Sequence, residues 1–351
     1  MSPDPQATPE VTPTGTSHTH PLLSVALGAL MLFFFVDGFV RGATPSAGIV
    51  LLALGCFVVI GLIDVATNSR ARRIEPRAVL FTVAATLLVA VLDRGVGMSC
   101  VFAAALVGVI AGLLPRVIPL MKASDSACLY VGAFAGMTSP VVVIGPGWLI
   151  LAGVMAGCIW SLVRDAWVGV GGKMGTMAFA GVAITTGIAT MLGHQEGMVP
   201  LPKYLPAQEV IVVVVSVVAA QLTYWLVASR GWGIVMASAL PTLIATALFV
   251  SISHATTLSA DSLSAAWFGA SFVGLTSATR LADRRWMMPA MAVVFGVLLI
   301  LFEANLSGLG GDLGATASAA VIAVLGMGWL ARRGSASSTD PTAIPVRHLG
   351  H

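Results

Sequence analysis

An internal repeat constrains this chain more than any other feature. Gly132-Ala-Phe-Ala-Gly-Met-Thr-Ser139 returns as Gly269-Ala-Ser-Phe-Val-Gly-Leu-Thr-Ser277, so that Phe134, Gly136, Thr138 and Ser139 fall 138 residues ahead of Phe272, Gly274, Thr276 and Ser277. Two more motifs recur in the same order. Arg94-Gly-Val-Gly97 is matched 136 residues on by Arg230-Gly-Trp-Gly233, and Gly171-Gly-Lys-Met-Gly175 is matched 139 on by Gly310-Gly-Asp-Leu-Gly314. In a chain with 38 glycines one doubled pair means little, but three collinear pairs with so little drift imply a duplication.

What is duplicated is membrane-embedded. Charged residues make up 9% of the chain and hydrophobic ones 57%, against roughly 25% charged in soluble domains. Apolar runs recur from residue 21 to 331 at lengths near the ~20 residues that cross a ~30 Å hydrocarbon core as helix. Barrel-type alternation is absent, so the spans are expected to be helical. The expected fold is therefore an all-α polytopic membrane protein with about twelve transmembrane helices, two at the N-terminus followed by a five-plus-five inverted-topology repeat.

The boundaries follow from composition. Residues 1–20, rich in Pro and Thr, read as a disordered tail without the basic start of a signal peptide. Residues 21–77 hold two apolar runs and a loop with Arg70, Arg72, Arg73 and Arg77; 78–195 is the first repeat, 208–331 the second, and 332–351 a polar tail. Gly145-Pro-Gly147 punctuates the first repeat between its third and fourth segments, and Pro241 is expected to kink the second segment of the other.

Five spans per repeat is an odd number, which turns the second copy over. Basic residues collect on the cytoplasmic side. With a cytoplasmic N-terminus and twelve spans, only Arg41, Arg94 and Lys203 of the 18 Lys and Arg fall outside. Making the third segments re-entrant moves Arg164, Lys173 and Arg230 out and Lys203 in, a poorer separation. The chain is accordingly expected in a bacterial inner membrane with both termini in the cytoplasm.

Binding sites in inverted-repeat transporters lie where interrupted helices meet at the repeat interface. The third segments fit that role, and Phe134, Gly136, Thr138, Ser139, Phe272, Gly274, Thr276 and Ser277 are the candidate substrate or ion site, with hydroxyl oxygens beside glycines that permit close approach. Packing is the alternative, since Gly132-x-x-x-Gly136 and Ala270-x-x-x-Gly274 are also small-xxx-small helix contacts. Lys173 and Asp312, at matching places in the Gly-Gly-x-x-Gly pair, are candidate gates, although orientation preference alone would give that charge swap. Gln221 and Glu303 are candidate path-lining residues, and Thr223 and Tyr224 lie beside the former.

Several functions lack their signatures. There is no Walker loop, dinucleotide fingerprint, His-Glu-x-x-His motif or potassium-channel filter, so no cofactor or metal is implied. Cys56, Cys100, Cys128 and Cys158 sit in apolar runs without motif spacing, and the net charge of +3 is explained by membrane orientation rather than nucleic acid. The leading expectation is a secondary transporter or facilitator, not an enzyme, moving a small solute or ion, with proton or sodium coupling open. Its expected partners are the lipid bilayer and the transported solute or ion, with a homo-oligomer left open. The rivals are a membrane-embedded enzyme on a lipid-linked substrate, using Asp93, Asp165, His254 or Glu303, and a non-transporting scaffold subunit.

Overall fold

Each of the ten apolar segments assigned to the two repeats becomes a helix, and everything regular among the described residues is helical. The computed structural model describes residues 25–33, 36, 45–66, 73–143, 145–194, 206–254, 259–281, 284, 286–306 and 308–337. Residues 1–20, Arg70, Arg72, Lys203 and 338–351 lie outside that set, whereas 332–337, assigned to the polar tail, extend the last helix. The described part of α1 covers residues 25–33 and α2 covers Pro45–Ala66. Then come α3 (Pro76–Ala90, running on as a π turn Val91–Gly95), α4 (Cys100–Val117), α5 (Ala123–Gly136), α6 (Pro146–Val163) and α7 (Lys173–Met191). The later segments give α8 (Pro206–Ala228), α9 (Ile234–Ser253), α10 (Ala260–Val273), a short α11 (Ala278–Leu281), α12 (Met287–Leu306) and α13 (Asp312–Ser337).

Seven helical stretches among the described residues are long and apolar enough to cross a bilayer, those formed by α3 with its π turn, α4, α6, α7, α8, α9 and α13. Shorter apolar stretches lie in α2 and α12. The chain is a multi-pass membrane protein. Among the described residues, seven such stretches are fewer than the twelve expected, and the physical reason is plain for two of the others. With 14 residues each, α5 and α10 are about 21 Å long, short of a ~30 Å core.

Glycines set how the helices lie together. A side chain at Gly132 would clash with the Thr82 carbonyl and one at Gly136 would meet the Thr86 carbonyl, so α5 runs parallel to α3 in close backbone contact. Gly153 faces Val83 and Thr86 while Gly157 faces Val79 and Thr82, so α6 runs antiparallel to α3. Residues 137–143 therefore carry the chain on from the end of α5, and α6 returns antiparallel to α3. The third segment is a short helix completed by irregular backbone, not a hairpin that re-enters. Gly145, with φ +95°, and Pro146 at the first helical position start α6 as the sequence implies.

The packing partners of the first five helices are echoed by the last five. Where α3 packs on α5 and α6, α8 packs on α10 and α12; where α5 meets α4 and α7, α10 meets α9 and α13. The two sets join through α4 with α9 and α7 with α13. Gly108 opposes Ala239 and Gly112 opposes Met236, which makes α4 and α9 antiparallel. Gly172, Gly175 and Gly311 oppose Ser318, Gly314 and Phe179, so α7 and α13 overlap antiparallel through their first turns. Of the helices before the first set, α2 packs on α13, where Gly61 and Gly326 bring the two backbones together, and Gly28 of α1 faces Leu62 of α2.

Candidate functional site

Two junctions between the helix sets involve the motifs that the repeat singles out. At one, the end of α5 meets the loop before α13. Gly310 N donates to Thr138 Oγ1 at 3.2 Å, Thr138 Oγ1 donates to the Ala135 carbonyl at 2.7 Å, and Ser139 N donates to the Gly308 carbonyl at 2.8 Å. At the other, the end of α10 meets the loop before α7. Ser277 N donates to the Gly169 carbonyl at 3.0 Å and Thr276 Oγ1 donates to the Val273 carbonyl at 2.7 Å.

Backbone geometry explains the glycines in these loops. Gly169 and Gly172 have φ of +79° and +84°, and Gly308 and Gly311 both have φ +91°, the left-handed region that favours glycine. Gly171 and Gly310 have no room for a side chain, because it would collide with the Phe272 and Phe134 carbonyls respectively. Each loop thus places the N-terminal end of one helix against the C-terminal end of a short helix from the other set.

Between the junctions sits an aromatic cluster. Phe134 and Phe272 lie 4.9 Å apart between ring centroids, Tyr130 and Phe134 4.3 Å, and Phe268 and Phe272 4.7 Å, all four side chains buried. The sequence-predicted pair Phe134 and Phe272 is thereby brought together, but as packed rings closing the seam. A hydroxyl chain runs from them. Ser271 donates its single proton to the Phe268 carbonyl at 2.6 Å, so Ser238 must donate to Ser271 at 2.6 Å and Tyr130 to Ser238 at 2.9 Å. It ties α5 to α9 and α10.

The other predicted residues fall as follows. Gly136 packs against α3 and Gly274 against the Ala220 carbonyl and Thr223 of α8. Ser139 accepts from Val141 N at 3.3 Å, and the Ser277 and Thr279 hydroxyls pair at 2.8 Å. Lys173 Nζ donates to the Arg164 carbonyl at 2.8 Å and the Ala166 carbonyl at 3.4 Å, which satisfies the frayed end of α6. Asp312 Oδ1 accepts from Leu313 N at 2.6 Å at the start of α13. Gln221 differs from expectation: it lies on the exposed side of α8 rather than inside the bundle, because the helix turns Thr223 inward and Gln221 out. The Glu303 side chain lies outside the described residues.

Charge is divided between the two ends of the molecule. Arg77 pairs with Asp125 at 2.7 Å and Arg164 with Glu75 at 2.7 Å at the end where α3 begins. At the other end lie Asp93, in the π turn that finishes α3, and Asp261 and Asp312, in the first turns of α10 and α13. Arg94 reaches from there to the Thr138 carbonyl at 2.7 Å, whereas its sequence counterpart Arg230 lies over the Trp225 ring at 4.8 Å. Among the described residues, no group of three His, Cys, Asp or Glu side chains is arranged to hold a metal.

Three hydroxyls in the later set are buried without a hydrogen-bond partner: Thr223 on α8, Thr246 on α9 and Ser264 on α10. Thr86 and Ser126, at the places matching Thr223 and Ser264, are satisfied by carbonyls of their own set, Thr86 by Thr82 and Gly132 and Ser126 by Ala111. Sequence reasoning missed Tyr130, Phe268, Gly169 and Gly308, yet all four obey the repeat offset; extending the two alignments a few residues upstream finds them. No family model matches the chain, and no curated protein or solved structure matches it either.

Proposed function

We propose that the protein is a secondary transporter or facilitator that moves a small polar solute or ion along the seam between two inverted repeats of five long helices, α3–α7 and, short α11 aside, α8–α13. The observation that carries this is the pair of junctions, where the end of α5 meets the loop before α13 and the end of α10 meets the loop before α7. Half-length helices ending inside the bundle bring dipole ends and free backbone groups to the seam, the arrangement by which broken-helix carriers bind polar cargo in hydrocarbon. Antiparallel α4 with α9 and α7 with α13 support the inversion, since matching helices then run opposite ways.

The charge division supports an orientation. The end carrying Arg77, Arg164 and Lys173 is assigned to the cytoplasm and the end carrying Asp93, Asp261 and Asp312 to the outside, in a bacterial inner membrane. Thr223, Thr246 and Ser264 are the hydroxyls left without partners for a solute or its water. The four aromatic rings form the barrier in the closed seam.

Purified protein in liposomes tests this reading with a panel of small neutral solutes by light scattering and of ions by tracer uptake. At least one member crosses faster than through protein-free vesicles, and Phe134→Ala raises that flux by thinning the barrier. If inserted, folded protein moves no member of the panel, with or without a proton or sodium gradient, the transport reading is wrong.

A further inference from the structure

One exposed side chain is out of place in lipid. Along α8 the residues facing outward are Ala207, Val210, Val214, Val218, Gln221, Trp225 and Ala228, a single stripe in steps of three or four residues. Six such steps cover the 21 residues from Ala207 to Ala228, a mean of 3.5 per step, the period at which two helices keep one seam together by winding gently around each other. All of it is apolar except Gln221. The matching stripe on α3, through Leu80, Ala84, Leu88 and Val91, carries Ala84 at the corresponding place, so the fold itself has no need of an amide there.

Gln221 makes no hydrogen bond within the described chain, although its amide offers two donors and a two-lone-pair acceptor. Nor is the headgroup region within easy reach. Trp225, with Arg230 stacked over its ring at 4.8 Å, marks the interfacial end of α8. Gln221 sits a turn deeper, and helical side chains lean toward the N-terminus, which carries this amide further into the hydrocarbon. A polar group held there finds a partner or remains costly.

We propose that the α8 stripe is the contact surface for a second copy of this chain, in a two-fold dimer whose centre is a reciprocal Gln221–Gln221 amide pair. An amide is its own complement, donor to acceptor in both directions, and in a two-fold contact each copy brings the same group to the same depth. Valine and alanine on either side allow the helices to approach closely, and a single amide in an apolar seam fixes register. The dimer is independent of the transport reading and survives its failure.

The test is energy transfer between donor- and acceptor-labelled full-length protein in phosphatidylcholine vesicles over a range of protein-to-lipid ratios. Wild type associates; Q221L weakens association about five- to thirty-fold; Q221N keeps most of it. Thermal unfolding in detergent checks that Q221L is folded. Cysteine at Val214 then cross-links between copies, and cysteine at Leu80 on the matching stripe of α3 does not. Monomeric wild type at every ratio, an unchanged Q221L dimer, or cross-linking through Leu80 in place of Val214 overturns the proposal. So does association that appears only with a different membrane protein present.

Discussion

At the scale of single residues, the hydroxyl chain at the seam gives an asymmetry that can be measured. Tyr130→Phe removes only the first donor, and Ser238 keeps its bond to Ser271, so the expected loss is about 0.5–1.5 kcal/mol. Ser238→Ala strands the Tyr130 hydroxyl in an apolar aromatic cluster and deprives Ser271 of its donor, and the expected loss is about 1–3 kcal/mol. Thermal unfolding in detergent ranks the two; equal losses contradict the proton order assigned to the chain. The candidate site was partly legible at this scale. Thr138 and Thr276 stood out because a hydroxyl repeated at one offset is conspicuous in an apolar background. Tyr130 and Phe268 did not, because an aromatic residue in a membrane helix carries no polarity signal, and only the repeat offset links them. Gln221 was read as interior for a related reason. A membrane helix is apolar on both its lipid and its protein faces, so periodicity cannot say which way a lone polar residue points.

At the scale of helices, approach distance is set by glycine, and two glycines in comparable helices respond oppositely to a methyl group. Gly132→Ala forces α5 off the Thr82 carbonyl of α3, and overpacking at such a contact costs about 1–3 kcal/mol. Gly187 in α7 has open space where a Cβ would go, so Gly187→Ala does not lower stability and gains up to about 1 kcal/mol of helix preference. Unfolding midpoints of the two variants against wild type check the sign of each. Apolar runs made the ten segments visible in the sequence, and Gly145-Pro146 and Gly172 marked where helices begin. The lengths of α5 and α10 were not visible, because the hydrophobic stretch continues past Gly136 through Val141, Val142 and Val143 in irregular backbone. Hydropathy measures how long a segment stays apolar; the end of the helix is set by Thr138 turning its hydroxyl onto Ala135 while Gly310 caps it from another helix set. That partner lies 172 residues away, beyond what any local pattern encodes.

At the scale of the molecule, the proposed inversion has a consequence that flux measurements do not touch. The starts of α5 and α10 correspond under the repeat, and Ser124 and Asp261 lie exposed there. In the proposed inverted arrangement, which the antiparallel pairing of α4 with α9 and of α7 with α13 supports, these two starts face opposite sides of the bilayer. Cysteine at Ser124 is then expected to react with a membrane-impermeant maleimide only after the cytoplasmic side is opened, and cysteine at Asp261 to react in intact cells. Wild type, whose Cys56 is exposed on α2, Cys100 and Cys158 half-buried and Cys128 buried, gives the baseline that is subtracted, or Cys56 is first replaced by serine. Labelling of both positions from the same side removes the inversion. It removes with it the reason for the seam to be a path, because parallel repeats would present both short helices to one face and leave the other without a matching half-site.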